Sequence, residues 1–517
     1  MGMGRALAVA LVGLNGHIVE VEADIGQTLP NFILLGLPDA SLQEARDRIR
    51  SAAQNSGIPL SRRKITVNLV PASLPKKGSG FDLAIVMAAL NAAGNVRHTG
   101  GTVFIAELGL DGRLRPVRGV LPAVLAALSA GYTEFVVAAA NLAEAQLVKG
   151  AKVRGYDCLA EVAIDFDADP SGLQGIEGGW EPAQGAAETS AAMPGRQAAV
   201  DLSDVAGQPV ARLALEIAAA GGHHLMMVGP PGSGKTMLAE RLPGLLPDLN
   251  DAEAMEVTAI HSLDHRGAGV AKLMRRPPYE RPHHSASTAA IIGGGSGIPR
   301  PGAATRAHRG VLFLDEAPEF DKRTLDALRQ PLESGELVLH RSAGTASYPA
   351  RFQLVMAANP CPCGKATGKG LNCECTPMAR RRYFGRLSGP LLDRVDIQLQ
   401  VTKVQLSQLA DTGPRESTAQ VATRVQLARD IAGERLKPWG LVHNADLGGR
   451  ILRGQLRLGG HDTALLDKAM GLGVLSARGY DRVLRLAWTV ADLQGHDHPG
   501  SDDVGLALTL RQRGEGM

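Results

Sequence analysis

Residues Gly229 to Thr236 read GPPGSGKT and lie between an apolar run, HHLMMVG, and a run of helical character, MLAERLPGLL. This is the P-loop spacing G-x-x-x-x-G-K-[ST], and the chemistry it supports is phosphate binding. Gly229, Gly232 and Gly234 let the backbone curl so that peptide N–H groups point inward, and Pro230, Pro231 and Ser233 complete the loop. The start of a helix adds partial positive charge at the same point. Lys235 is spaced to reach the β- and γ-phosphates, and the Thr236 hydroxyl to bind Mg2+. ATP and Mg2+ are the expected ligands.

Eighty residues after Lys235, the run VLFLDE (311–316) places Asp315 and Glu316 at the end of four apolar residues, the Walker B arrangement. Asp315 is expected to hold Mg2+, directly or through water, and Glu316 to polarise the attacking water as general base. The long gap leaves room for an inserted segment. Asn359 ends a third apolar run, FQLVMAA, where a polar side chain beside the Walker B strand is suited to orienting the lytic water. Just beyond it, Cys361, Cys363, Cys373 and Cys375 give C-x-C-x9-C-x-C. Two close thiolate pairs point to a closed structural zinc site, the alternative being four unligated thiols. Cys158 stands alone and is expected to be a small buried hydrophobe.

The elements that must hold these residues follow from the patterning. Residues 1–165 alternate strand-like and helix-like runs and read as an α/β domain. Residues 166–200 carry no apolar period and read as a linker. Residues 201–404 contain the phosphate-binding motifs, and residues 405–517 read as helical. The 517 residues, 44% of them hydrophobic, allow about three domains. Aromatics are only 3%, so the cores must be built from small aliphatic side chains. A net charge of +3 does not by itself announce nucleic acid. No run is long enough to span a bilayer, and four clustered cysteines do not make a secreted disulfide framework, so a cytoplasmic place is expected.

The segments NFILLGLPDASLQEARDRIRSA (31–52), PHHSASTAAIIGGGSGIPRPGAATRAHRGVLFLDEAPEF (282–320), NPCPCG (359–364) and RLSGPLLDRVDI (386–397) are long and specific. They resemble the magnesium-chelatase-like AAA+ ATPases of the ComM/YifB group over nearly the whole chain. The resemblance implies a Lon-protease-like N-terminal domain, a central AAA+ core and a C-terminal helical lid. At the positions matching the Lon nucleophile and its lysine stand Gly80 and Leu121, so acyl-enzyme chemistry has no route unless the register shifts to Ser79. The resemblance makes Asn359 the sensor-1 residue. It makes Arg394 an arginine finger that acts on a neighbouring subunit, with Arg386 the alternative, and Arg478 the sensor-2 arginine. Arg482 and Arg485 share the Arg478 helix and read as solvated or intradomain residues.

What the resemblance implies of function is a hexameric, ATP-driven motor, a DNA helicase that drives branch migration in natural transformation. The basic stretch 361–394 contains Lys365, Lys369, Arg380, Arg381, Arg382, Arg386 and Arg394 and suits contact with DNA phosphates, although such runs are often merely solvated. The segment 336–355 reads as a β-hairpin with Arg341 and Gly344 near its tip, and the resemblance directs it into the ring pore. The glycines of 293–297 supply mobility in the insert, and few aromatics are present to stack on bases, so contact should be sequence-independent. His283 and His284 have no spacing-matched acidic partner and read as structural or as sensing the insert's position. A protein-remodelling chaperone and a metal-chelatase motor subunit are the alternative functions.

Overall fold

The computed structural model describes residues 2–35, 39–71, 74, 79–175, 200–264, 270–295, 299–341, 344–366, 372–404, 408 and 413–511. The N-terminal part is built on strands β1 (Met3–Val12), β2 (Asn15–Gly26), β3 (Phe32–Leu35), β4 (Lys64–Val70), β5 (Thr102–Ile105), β6 (Glu134–Ala138) and β7 (Lys152–Tyr156). They form one seven-stranded sheet in the order β3-β4-β2-β1-β5-β6-β7. Pairing is antiparallel for β1–β2 and β2–β4 and parallel elsewhere. Alternation sets the faces of β2, where Val19, Val21 and Ala23 enter the core while Glu20 and Glu22 face Arg5 of β1 at 3.4 and 3.6 Å. Helices α1 (Asp39–Asn55), α2 (Asp82–Ala92) and α3 (Val120–Ser129) pack on this sheet. Cys158 is buried, as its isolation suggested.

Gly80 offers no side chain, and Leu121 is enclosed on α3 with its N–H donating to Glu144 at 3.1 Å. The nearby Ser79 hydroxyl donates to the Glu107 carboxylate. Positions 80 and 121 therefore form no nucleophile–base pair. Of the expected linker, residues 166–175 and 200 are described, with Phe166 and Ala168 buried against the N-terminal core; residues 176–199 lie outside the described residues.

The second sheet is parallel throughout. Its strands are β8 (Leu225–Val228), β9 (Tyr279–Glu280), β10 (Val311–Leu314), β11 (Gln353–Ala358) and β12 (Ile397–Gln400), in the order β9-β10-β11-β8-β12. The runs LMMV and VLFL, and QLVMAA after Gln353, are apolar at every position because both faces are covered. The period of two still sorts them. Met227, Phe313 and Val355 enter one core, and Met226, Leu312 and Leu354 enter the other. The first core also takes α4 (Pro209–Gly221), α5 (Lys235–Leu245), α6 (Thr418–Leu436) and α7 (Ala477–Gln494), through Leu215, Leu238, Val425 and Leu486. The elements described from Thr418 onward are all helical, and they share this core with the sheet as well as having a small cluster of their own around Trp488. Among the described residues no helix is long and apolar enough to cross a membrane.

Candidate active site

The sheet order puts β11 between β10 and β8, so Asn359, one residue past β11, lies between the carboxylates after β10 and the glycine-rich loop after β8. That loop turns through Gly232 and Gly234 at φ 74° and 88°, a region side chains with a Cβ rarely occupy, and runs into α5 at Lys235. Lys235 is buried and its Nζ donates to the carbonyls of Gly229 and Pro230 at 2.6 and 3.0 Å and to Asn359 Oδ1 at 3.3 Å. Burial pushes its ammonium below the ordinary lysine range, against the pull of Asp315 and Glu316. The Ser233 hydroxyl is buried in the same loop and has no partner among the described residues. A glycine turn holding a buried cation and an unpartnered buried hydroxyl fits a polyphosphate. Thr236 Oγ1 donates to Asp315 Oδ2 at 2.9 Å, which brings together the hard oxygen donors that Mg2+ prefers.

Both acidic residues have partners that spacing did not disclose. Asp315 Oδ2 also accepts from Arg281 at 2.9 Å, and Arg281 reaches on to Glu240 at 3.1 Å. Glu316 adopts a left-handed backbone, φ 52° and ψ 43°, unusual for a residue with a side chain and worth about 1–3 kcal/mol of strain. Its carboxylate lies 3.3 Å from His284 Nδ1. The His283–His284 pair has no acidic partner at ligand spacing in the sequence, but His284 gains one from the neighbouring strand of the sheet. β9 pairs with β10 in the register Tyr279↔Val311 and Glu280↔Leu312, and this carries residues 281–284 alongside 315 and 316.

Arg394 follows the short helical turn Gly389–Leu392. It pairs with Glu333 and donates to the Pro390 carbonyl at 2.6 Å, and its side chain keeps 18% exposure. Burial lowers its pKa, and Arg329, Arg482 and Arg478 add to the effect. The acidic neighbours in sequence are taken elsewhere. Asp393 lies 3.4 Å from Arg478, which is 78% exposed. Asp396 accepts at 3.0 Å from Nδ1 of the fully buried His223, whose Nε2 meets Thr489 Oγ1 of α7 at 2.7 Å. Burial opposes ionisation of Asp396, but His223 and the nearby Arg485 and Arg482 hold it well below the usual carboxylate range. Arg482, read as a bland neighbour of Arg478, is buried beside Asp396 at 3.5 Å. Arg386 contacts the Pro318 carbonyl and Glu319 at 3.0 and 3.2 Å.

Family models for the magnesium chelatase subunit ChlI match residues 201–409, those for subunit ChlI of Mg-chelatase match 21–141, and those for the ChlI C-terminal region match 415–511. Competence protein ComM of Haemophilus influenzae is 41% identical over 514 residues, which is 99% of this chain and 98% of that protein. YifB of Escherichia coli, an uncharacterised protein, is 42% identical over 94% of this chain and 93% of its own. The chain belongs to the ComM/YifB family of magnesium-chelatase-like proteins. An uncharacterised protein of Mycobacterium tuberculosis is 50% identical over 99% of both chains. The magnesium-chelatase 38 kDa subunit of Rhodobacter capsulatus is 25% identical over 60% of this chain.

In this ComM/YifB chain the segment 336–355 does form a hairpin, Glu336–Arg341 against Gly344–Pro349, with Leu337 and Tyr348 buried in the second core and residues 342–343 outside the described residues. Of the glycine-rich run, residues 296–297 lie outside as well, as does Lys369 of the basic stretch. Arg380, Arg381 and Arg382 sit on α8 (Pro377–Phe384), with Arg381 and Arg382 exposed, while Lys365 pairs with Glu374 at 3.1 Å. The four clustered cysteines converge, and their Sγ atoms all lie within 4.8 Å of one another, an arrangement compatible with a single metal ion.

Proposed function

We propose that this chain hydrolyses ATP at the interfaces of a ring of identical subunits, a hexamer by family resemblance, and that the ring drives DNA branch migration during recombination of incoming DNA. The observation that carries the ATPase half is the convergence of Lys235, Thr236, Asp315 and Asn359 from three separate segments. The DNA half rests on likeness to a protein named for competence.

In this reading the loop amides and Lys235 bind the phosphates, and Thr236 and Asp315 hold Mg2+, which neutralises charge on the β- and γ-oxygens when bound. Glu316 takes a proton from water that Asn359 helps to orient. Arg394 exchanges Glu333 for the γ-phosphate of the neighbouring subunit, and Arg478 approaches from the helical part of its own chain. Such an arginine supplies positive charge where the transition state develops negative charge. DNA contact falls to the hairpin and the basic stretch, through phosphates.

The test is steady-state ATP hydrolysis without DNA, with single-stranded DNA and with a four-way junction, using Glu316→Gln as the blank. Strong stimulation, greatest with the junction, supports branch migration. Turnover indifferent to every DNA keeps the motor and moves its substrate to protein or to a chelatase partner.

A further inference from the structure

The loop that follows Asn359 brings four sulfurs to one point. Cys361 Sγ lies 3.3 Å from Cys363 Sγ and 3.6 Å from Cys373 Sγ, and Cys363 and Cys373 are 3.8 Å apart. Cys375 completes the group, with every pair inside 4.8 Å. Four thiolates about 2.3 Å from one tetrahedral ion stand about 3.8 Å from each other, so these separations are those of a single-ion site. They are too long for S–S bonds, which are about 2.05 Å. An iron–sulfur cluster divides the four thiolates among two or four irons and spreads the sulfurs further. The Ala366 N–H points at Cys361 Sγ at 3.4 Å, the kind of amide contact that favours a thiolate.

This knuckle is joined to the nucleotide loop on one side and to the basic helix on the other. Its first turn closes by Gly364 N–H to the Cys361 carbonyl at 2.9 Å. Gly364 has φ 72°, and a Cβ there would lie 2.7 Å from Cδ of Pro231, so the turn is pressed directly on the P-loop. Cys361 is buried and only two residues from Asn359, the acceptor of Lys235. After Cys375, Thr376 caps α8 by accepting from Ala379 N–H at 3.2 Å.

We propose that Cys361, Cys363, Cys373 and Cys375 hold one zinc ion as four thiolates, and that this closed site clamps Asn359 and Pro231 to the basic helix α8. All four positions of the ion are filled by protein sulfur, so it binds no substrate and activates no water. Binding releases the thiol protons to solvent. The clamp follows from the contacts above; its effect on nucleotide rests on the ATPase reading, whereas the zinc does not.

The experiment is metal analysis of the purified full chain, with cobalt(II) exchanged for the native ion. One zinc per chain and an intense thiolate-to-cobalt spectrum of tetrahedral type are expected. Cys363→Ser and Cys373→Ser should lose the metal, and Cys158→Ser should keep it. Wild-type chain that takes up no zinc from a reducing zinc buffer, or that carries iron, overturns the assignment even where the cysteine variants fail to fold. Removing zinc with a chelator should weaken binding of a fluorescent ATP analogue several-fold, and re-adding zinc should restore it. Unchanged binding overturns the clamp. Zinc present in a chain that binds no nucleotide at all overturns the ATPase reading and leaves the zinc site standing.

Discussion

His284 holds the carboxylate that the proposed mechanism needs free, so His284→Ala should raise the basal rate of ATP hydrolysis. The contact is 3.3 Å long and open to solvent, with the two side chains 36% and 48% exposed. A pair this accessible is worth about 0.5–1 kcal/mol. Released into the barrier, at 1.36 kcal/mol per tenfold, that becomes roughly a two- to fivefold faster turnover. The Glu316 backbone is shaped by the turn Ala317–Glu319 and does not depend on the imidazole, so the base stays in place. The assay is steady-state phosphate release with and without junction DNA, with nucleotide affinity measured in parallel as the check on folding. Basal rate should rise while the DNA-stimulated rate stays put, shrinking the stimulation ratio by the same factor. His283→Ala is the control, because His283 bonds Ser285 at 2.7 Å and meets Glu316 only through its ring contact with His284. An unchanged basal rate would show the contact to be idle. A tenfold fall would show that His284 assists Glu316, and the restraint argument would be refuted.

Lys235→Ala should abolish binding of a fluorescent ATP analogue; tight binding by that variant would remove Lys235 from the phosphate site. Mixing Arg394→Ala chains with Glu316→Gln chains should restore activity at interfaces that combine two intact halves, and titrating the ratio while following phosphate release checks it. His223→Ala should lower stability by about 3–5 kcal/mol, read from thermal unfolding, because it strips a hydrogen bond from the buried Asp396. Acid should destabilise the chain between about pH 6.5 and pH 4 through a buried histidine. His224 accepts from the Leu354 N–H at 3.0 Å through Nδ1, and burial lowers its pKa to about 4. The unfolded chain therefore binds the extra proton first, and this stabilisation, full above about 6.5, is lost as pH falls toward 4, on the order of 3 kcal/mol. Urea midpoints that stay level between pH 7 and pH 4.5 would exclude it.

The P-loop and Walker B residues were legible in sequence because their chemistry needs contiguous residues: a turn made by glycines, a lysine at a fixed step, two acids at a strand end. Asn359 was legible for a related reason, as a polar residue ending an apolar strand. The hairpin 336–349 and the helical character after Thr418 also followed from pattern. Arg281 and His284 were not legible, because only the parallel pairing of β9 with β10 brings them to Asp315 and Glu316. His223 lies 173 and 266 residues from its partners Asp396 and Thr489, and no local pattern links a histidine before one strand to a threonine on the last long helix. The cysteine spacing announced a ligand set but not the press of Gly364 on Pro231, which depends on where β11 delivers the loop.

The charges at 393–396 are paired crosswise. Arg394 has an aspartate on one side and another two residues on, yet it takes Glu333; Asp393 takes Arg478 and Asp396 takes His223. The single turn Gly389–Leu392 precedes this stretch, and Asp393, Arg394 and Asp396 send their charged side chains to different elements. One of those elements is α7, reached by Arg478 at its exposed start and by Arg482 and Thr489 within its buried length. A change in the position of α7 that follows loss of the γ-phosphate would thus act on the backbone of Asp393 and Asp396, and Arg394 lies between them. The exposed Asp393–Arg478 contact is weak and easily exchanged. The buried Asp396–His223–Thr489 chain is not, since breaking it strands a charge out of water. The buried chain is therefore the part able to transmit a displacement of α7 to the arginine, while the exposed pair can let Arg478 turn toward nucleotide without disturbing it.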